Sequence, residues 1–242
     1  MPKFLLLGEP AYERYADELR LRGYAPVSLP PDPRLNPIVA SHADTLIFEC
    51  IGRLVMNSEY LSRLALPDRL RERIEPSEDF PFGDYPNDVR FNALSLNGRL
   101  YARAASLSPD VKALAIKSGF VPVNVRQGYV RCSVLAVPPL NLAVTSDIGL
   151  ADSLESDGVR VLRIAPGGIE LPGCEYGFIG GASFADAPQC CCSLHSRPTV
   201  YFFGSLAFHP EGVRIRSFLE SGGCEVVELP GQLTDFGGGI VV

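Results

Sequence analysis

Polar side chains gather where short apolar segments begin. His42 and Asp44 precede LIF, Asp88 and Asn92 precede ALSL, and Arg131, Cys132 and Ser133 precede VLAV; Glu175 and Ser183 flank FIGGA, and Asp235 precedes the glycines at 237–239. Cys132 is the preferred nucleophile: it sits among polar residues, and Arg131 beside it favours a thiolate. Strand alternation nevertheless sends the side chains of Arg131 and Cys132 to opposite faces. The plain alternative makes Cys132 a small buried hydrophobe of a central strand. His42 and Asp44 lie two apart, so in a strand both face one way, where the carboxylate orients the imidazole or holds a cation beside it. The competing role for His42 is to cap the start of that strand. Asp88 serves either a ligand or the turn begun by Pro86 and Asn87. Around Asp235 the glycines leave room for a ligand to approach the backbone, or simply relieve crowding.

The elements that position these residues repeat. A short apolar strand, a helix and a second strand recur from Phe4, Arg99, Leu142 and Thr199, with a degraded copy near Arg53. In four copies the helix runs into Gly23, Gly119, Gly158 or the pair Gly222 and Gly223, as a left-handed helix cap requires; the copy from Arg53 lacks this glycine. Each copy is accompanied by a further strand: HADTLIFEC, NDVRFNALSL, GYVRCSVLAV, YGFIGGASF or LTDFGGGIVV. Asn97 and Gly98 between alternating runs mark a hairpin, and Pro138 and Pro139 turn the chain at the equivalent place one copy later. Each unit therefore reads β-hairpin, helix, strand.

Composition sets the bounds. The chain has 242 residues, 46% of them hydrophobic, enough for a substantial core, and no stretch is long or polar enough to divide it, so residues 1–242 are expected to form one domain. PSEDFPFGDYPN, from Pro76 to Asn87, reads as a loop between copies. The net charge of -6 comes without a basic run, which argues against a nucleic-acid surface; Arg69, Arg71 and Arg73 read as a solvated helix face. No apolar run is long enough to span a bilayer, and MPKFLLLGEP reads as a first strand, not a signal peptide. Seven cysteines in no paired pattern point to a reducing, cytoplasmic setting.

Strand and helix alternation alone suggests a doubly wound parallel sheet, but the extra strand in every unit does not fit it. An α/β propeller of five ββαβ repeats uses every segment and brings five strand starts around one pocket. On the segments HADTLIF, YPNDVRFN, QGYVRCS, TSDIGLA, GFIGGAS and LTDFGGG, the chain resembles a mainly bacterial family of the pentein fold, the fold of the guanidino-group-modifying enzymes. That resemblance implies a five-fold α/β propeller and a cysteine-dependent hydrolase or transferase acting on a small guanidine or amidine. Cys132 would be the nucleophile and His42 the acid and then the base, with Asp44 and Asp88 gripping the cation and Asn92, Arg131 and Asp235 completing the substrate site. No cofactor or metal is expected, and a homo-oligomer is compatible with the fold. The chain departs from the well-studied enzymes in placing its cysteine mid-chain and in carrying IGG at Ile179–Gly181 where they have an acidic EGG motif. The alternative is a non-catalytic pentein that binds a small cationic metabolite or a protein partner. GFIGGAS lacks the spacing of a dinucleotide fingerprint. CCCSLH, Cys190 to His195, lacks the paired spacing of a structural metal site.

Overall fold

The fold is known from a computed structural model that describes residues 2–187 and 197–242. The CCCSLH segment lies outside the described residues. The first blade contains β1 (Lys3–Gly8), α1 (Glu9–Leu21) and β2 (Tyr24–Leu29). The second runs through a helical turn, α2 (Ala43–Leu46), into β3 (Ile47–Cys50), then β4 (Arg53–Asn57), α3 (Ser58–Ser62), α4 (Asp68–Arg71) and β5 (Ile74–Ser77). The third holds β6 (Leu94–Leu96), β7 (Arg99–Ala102), α5 (Pro109–Lys117) and β8 (Val121–Asn124). A helical turn, α6 (Val130–Ser133), opens the fourth, followed by β9 (Val134–Val137), β10 (Leu142–Thr145), α7 (Ile148–Ser156) and β11 (Arg160–Arg163). The fifth has β12 (Ser183–Asp186), β13 (Thr199–Phe202), α8 (Gly212–Ser221) and β14 (Glu225–Glu228), after which β15 (Gly239–Val241) returns to pair with β1.

Five three-stranded sheets result, all with one topology. In each, an inner strand runs antiparallel to a middle strand, and the middle strand runs parallel to a third across the helix. The degraded copy from Arg53 is thus a full blade whose helix is split at Pro67. β15 opposite β1, with Ile240 against Leu6, completes the first blade with the last strand and closes the ring.

Local chemistry explains the elements. The four glycines that end long helices, Gly23, Gly119, Gly158 and Gly223, all take positive φ. Asn97 and Gly98 are both left-handed, as a two-residue hairpin between β6 and β7 demands. Ser108 and Asp147 cap α5 and α7 by accepting from the backbone N–H groups of Asp110 and Leu150. Burial is divided among five apolar clusters, each drawing on two neighbouring blades. The ring therefore holds together at its junctions, and its axis is left to a small cavity. Among the described residues no helix is long and apolar enough to cross a membrane.

Candidate active site

The segments ahead of the inner strands converge on one cleft of about 520 Å³. His42, Asp88, Cys132 and Asp235 line it while exposing only 5%, 1%, 2% and 3% of their surface. The strands expected to begin at His42 and Gly128 begin instead at Ile47 and Val134, each preceded by one helical turn. Strands converging on an axis run out of ladder partners there, and a helical turn satisfies much of its own backbone. The His42 carbonyl accepts from Thr45 and Leu46, and the Tyr129 carbonyl accepts from Ser133 at 2.9 Å. Asp44 is buried behind the cleft, its N–H held by the Gly237 carbonyl at 3.1 Å.

Asn92 ties two blades together at the nucleophile. Its Oδ1 accepts from the Arg131 N–H at 2.7 Å, and its Nδ2 donates to Cys132 Sγ at 3.0 Å. The fifth blade offers backbone where the others offer side chains. The Gly181 N–H donates to the Cys132 carbonyl at 3.0 Å, and a Cβ on Gly181 would stand 1.9 Å from Asp235 Oδ1. The IGG segment is therefore a seat for its neighbours. Asp235 accepts from the N–H of Phe178 at 2.8 Å and of Gly237 at 2.9 Å, which occupies both its oxygens and fixes the loop beside His42. Gly237 itself, at φ +76°, would place a Cβ 2.3 Å from that of His42, so no other residue fits.

Two groups lie elsewhere. Arg131 was expected at the substrate, yet it turns to the other side of its helical turn and lines the axial cavity of about 100 Å³ with Glu49 and Ser95. Ser183 is buried with its hydroxyl on the Ile179 carbonyl at 2.6 Å. Sequence reasoning missed the aromatic wall formed by Tyr85, Tyr129, Tyr176 and Phe178. Neighbouring rings in it stand 5.6 to 6.4 Å apart. Tyrosines in the turn-rich loop at 76–87 and beside Arg131 were the available signal.

Residues 6–240 match the Family of unknown function (DUF6873). The chain belongs to that family. No curated protein matches it in sequence. Its structure is similar to that of DDAH from Pseudomonas aeruginosa, a cysteine-to-serine variant complexed with citrulline, at 11% identity with 100% of both chains covered and a TM-score of 0.54. It is also similar to a histidine-to-glycine variant of dimethylarginine dimethylaminohydrolase, an adduct with S-methyl-L-thiocitrulline, at 11% identity, 100% coverage of both chains and a TM-score of 0.52. The ring is the pentein fold.

Electrostatics in this DUF6873 member run against an activated thiol. Burial, then the carboxylates of Asp44 and Asp235, push the Cys132 thiol well above its ordinary value, against the Asn92 N–H, which lowers it. The expected help from Arg131 is absent because its guanidinium faces the axis. Burial likewise raises Asp44 to about 6, against the pull of His42. Asp88 is raised by burial although the Tyr129 hydroxyl donates to it. One oxygen of each remains without a partner: Asp44 Oδ2 and Asp88 Oδ1. Among the described residues no lysine or arginine lines the cleft, and no three His, Cys, Asp or Glu side chains are grouped to hold a metal. Such a site can accept N–H bonds from a planar cation.

Proposed function

We propose that the cleft binds a small guanidine or amidine and that Cys132 carries out a hydrolase or transferase reaction on it. The observation that carries this reading is the buried carboxylate oxygen without a partner on a lining residue, Asp88 Oδ1, in a site lined by no cationic side chain among the described residues, with the Asp44 carboxylate against the Cys132 thiol behind it. A buried acceptor left unbonded costs about 1–3 kcal/mol, more when charged, and a ligand with paired N–H donors removes that cost. The similar solved structures hold citrulline, a urea, and S-methyl-L-thiocitrulline, an isothiourea, both planar N–H donors related in shape to a guanidine.

The charges supply a switch for the chemistry. In the empty cleft Asp44 and Asp235 hold the thiol protonated; a bound cation offsets both carboxylates and lowers the thiol pKa. The Cys132 thiol then gives its proton to His42, and the thiolate attacks the central amidine carbon, forming the C–S bond. His42 protonates the departing amine as the C–N bond breaks, then takes a proton from water attacking the same carbon, and the C–S bond breaks to return the thiolate. Asn92, bonded to Sγ, steadies the sulfur throughout. Asp88 holds the cation, Asp44 acts on it through its charge from behind Cys132, and Asp235 fixes the loop.

Binding without turnover is the second reading, favoured by the burial of Cys132 and the upward shift of its thiol. The two separate in a pH titration of thiolate absorbance, taken as the difference between the native protein and Cys132→Ser. Addition of butylguanidine is expected to lower the apparent pKa of Cys132 by at least about one unit, equivalent to about 1.4 kcal/mol. If the ligand binds and the thiol does not move, the protein is a binder and the nucleophile assignment is lost.

A further inference from the structure

The cleft is layered by depth. Its floor is buried and acidic, with Asp88, Asp235 and, behind Cys132, Asp44. A half-buried belt follows, made of Tyr129, Phe178, Tyr176, Leu171 and Ile38. The exposed part of the lining, its rim, is acidic again, with Glu175 and Asp84. Asp84 accepts from the Asn36 side-chain amide at 2.9 Å, and among the described residues neither rim acid has a cationic partner within salt-bridge distance. The guanidinium of Arg103 lies over the Tyr85 ring, 5.7 Å from its centroid, and donates to Ser106.

From this layering we infer that the ligand is a linear dication: a guanidinium or amidinium at the floor, an apolar spacer along the belt, and a primary ammonium at the rim. The inference rests on the reading of the cleft as a guanidine site and adds what lies at the ligand's other end. A ligand ending in a carboxylate, an α-amino acid included, would set that anion against Glu175 and Asp84 with no arginine or lysine among the described lining residues to receive it, and like charges so placed oppose binding. An ammonium there has a carboxylate, Glu175 or Asp84, for a counter-charge and keeps much of its hydration, because both acids are exposed. The belt suits methylenes: Tyr129 and Phe178 offer ring faces and Leu171 and Ile38 offer aliphatic surface. The single orphaned oxygen of Asp88, on a side chain 99% buried, points the guanidinium end inward, where rigid donors are rewarded, and leaves the flexible ammonium for the rim.

The test uses Cys132→Ser, which cannot turn over, in calorimetric titrations at moderate salt with four probes: butylguanidine, aminobutylguanidine, guanidinobutanoate and arginine. Aminobutylguanidine is expected to bind at least tenfold more tightly than butylguanidine, and guanidinobutanoate at least tenfold more weakly. Adding Glu175→Gln should erase most of the advantage of the amine while leaving butylguanidine within about twofold, a difference of about 0.4 kcal/mol. Equal or tighter binding of guanidinobutanoate or arginine overturns the inference while the guanidine reading stands. So does a Glu175→Gln effect that is the same for every probe. If butylguanidine and aminobutylguanidine both fail to bind, the guanidine reading falls and this inference falls with it.

Discussion

The inner strands enclose two spaces that treat buried charge differently. In the axial cavity Glu49 accepts from the Gly52 N–H at 2.8 Å and lies in the field of Arg131; the orphaned atom there is a neutral hydroxyl, Ser95 Oγ. In the cleft Asp88 keeps a carboxylate oxygen without a partner, as does Asp44 behind it, and the lining supplies acids and aromatic rings instead of an arginine. A folded chain seldom leaves buried carboxylates unsatisfied without a use for them. The contrast separates a compensated interior from a site prepared for a cationic ligand.

The largest effect expected is from Gly181→Ala. Its Cβ would stand 1.9 Å from Asp235 Oδ1, and the Gly181 carbonyl already accepts from Phe236 and Gly238, so neither the loop nor the turn can yield cheaply. Denaturant unfolding should show a loss of about 3 kcal/mol, the upper end of the cost of overpacking. A loss under about 0.5 kcal/mol, the range of surface substitutions, would mean that the cleft floor is more pliant than its packing implies.

Asp88→Asn comes next and strikes the contrast at its centre. It keeps the size of the side chain and removes the charge facing the cleft, so butylguanidine affinity should fall by about 1.5–3 kcal/mol, as expected for a hydrogen bond to a charged group. Calorimetry on Cys132→Ser reads this directly, and unchanged affinity would remove Asp88 from the ligand.

Asp44→Asn tests the field on the thiol. Asp44 has its folded pKa raised from 3.8 to about 6, so the stability tied to its proton is complete below 3.8 and is lost as pH rises through about 6. The native protein should therefore lose stability relative to Asp44→Asn between pH 4 and 7, by about 2–3 kcal/mol. Cys132 should also titrate lower in the variant, since one of the two carboxylates that raise it is gone. Parallel pH–stability curves for the two proteins would contradict both expectations.

Much of this architecture was legible because the repeat carries its own punctuation. Closing glycines, Asn97-Gly98 and short β-branched runs fix the blades, and each blade's polar residues fall just before its inner strand. The helical turns at Ala43–Leu46 and Val130–Ser133 were not legible, since four residues hold too little periodicity to tell helix from strand. The opposite facing of Arg131 and Cys132 expected from strand alternation is nevertheless what the helical turn gives, and it is the resemblance-based placing of Arg131 at the substrate that the axial cavity corrects. The aromatic wall was hidden for another reason: Tyr85 and Tyr176 sit in loops whose sequence gives composition but not direction.

Glu49→Gln should have the smallest effect, and it bounds the comparison. Burial raises the Glu49 carboxyl while the Gly52 N–H and Arg131 pull it down, so its charge is disfavoured but partly compensated. Because the folded pKa is raised, the stability tied to its proton is also lost with rising pH, and the variant should gain on the native protein in alkaline solution by less than Asp44→Asn does. Butylguanidine affinity should stay within about twofold, or about 0.4 kcal/mol, because Glu49 does not line the cleft. Arg131 is the one route by which the change could be felt there, since its charge acts on both Glu49 and Asp44. A loss of affinity as large as that of Asp88→Asn would therefore mean that the axial pair sets the charge of the cleft, and that the two spaces work as a single electrostatic unit.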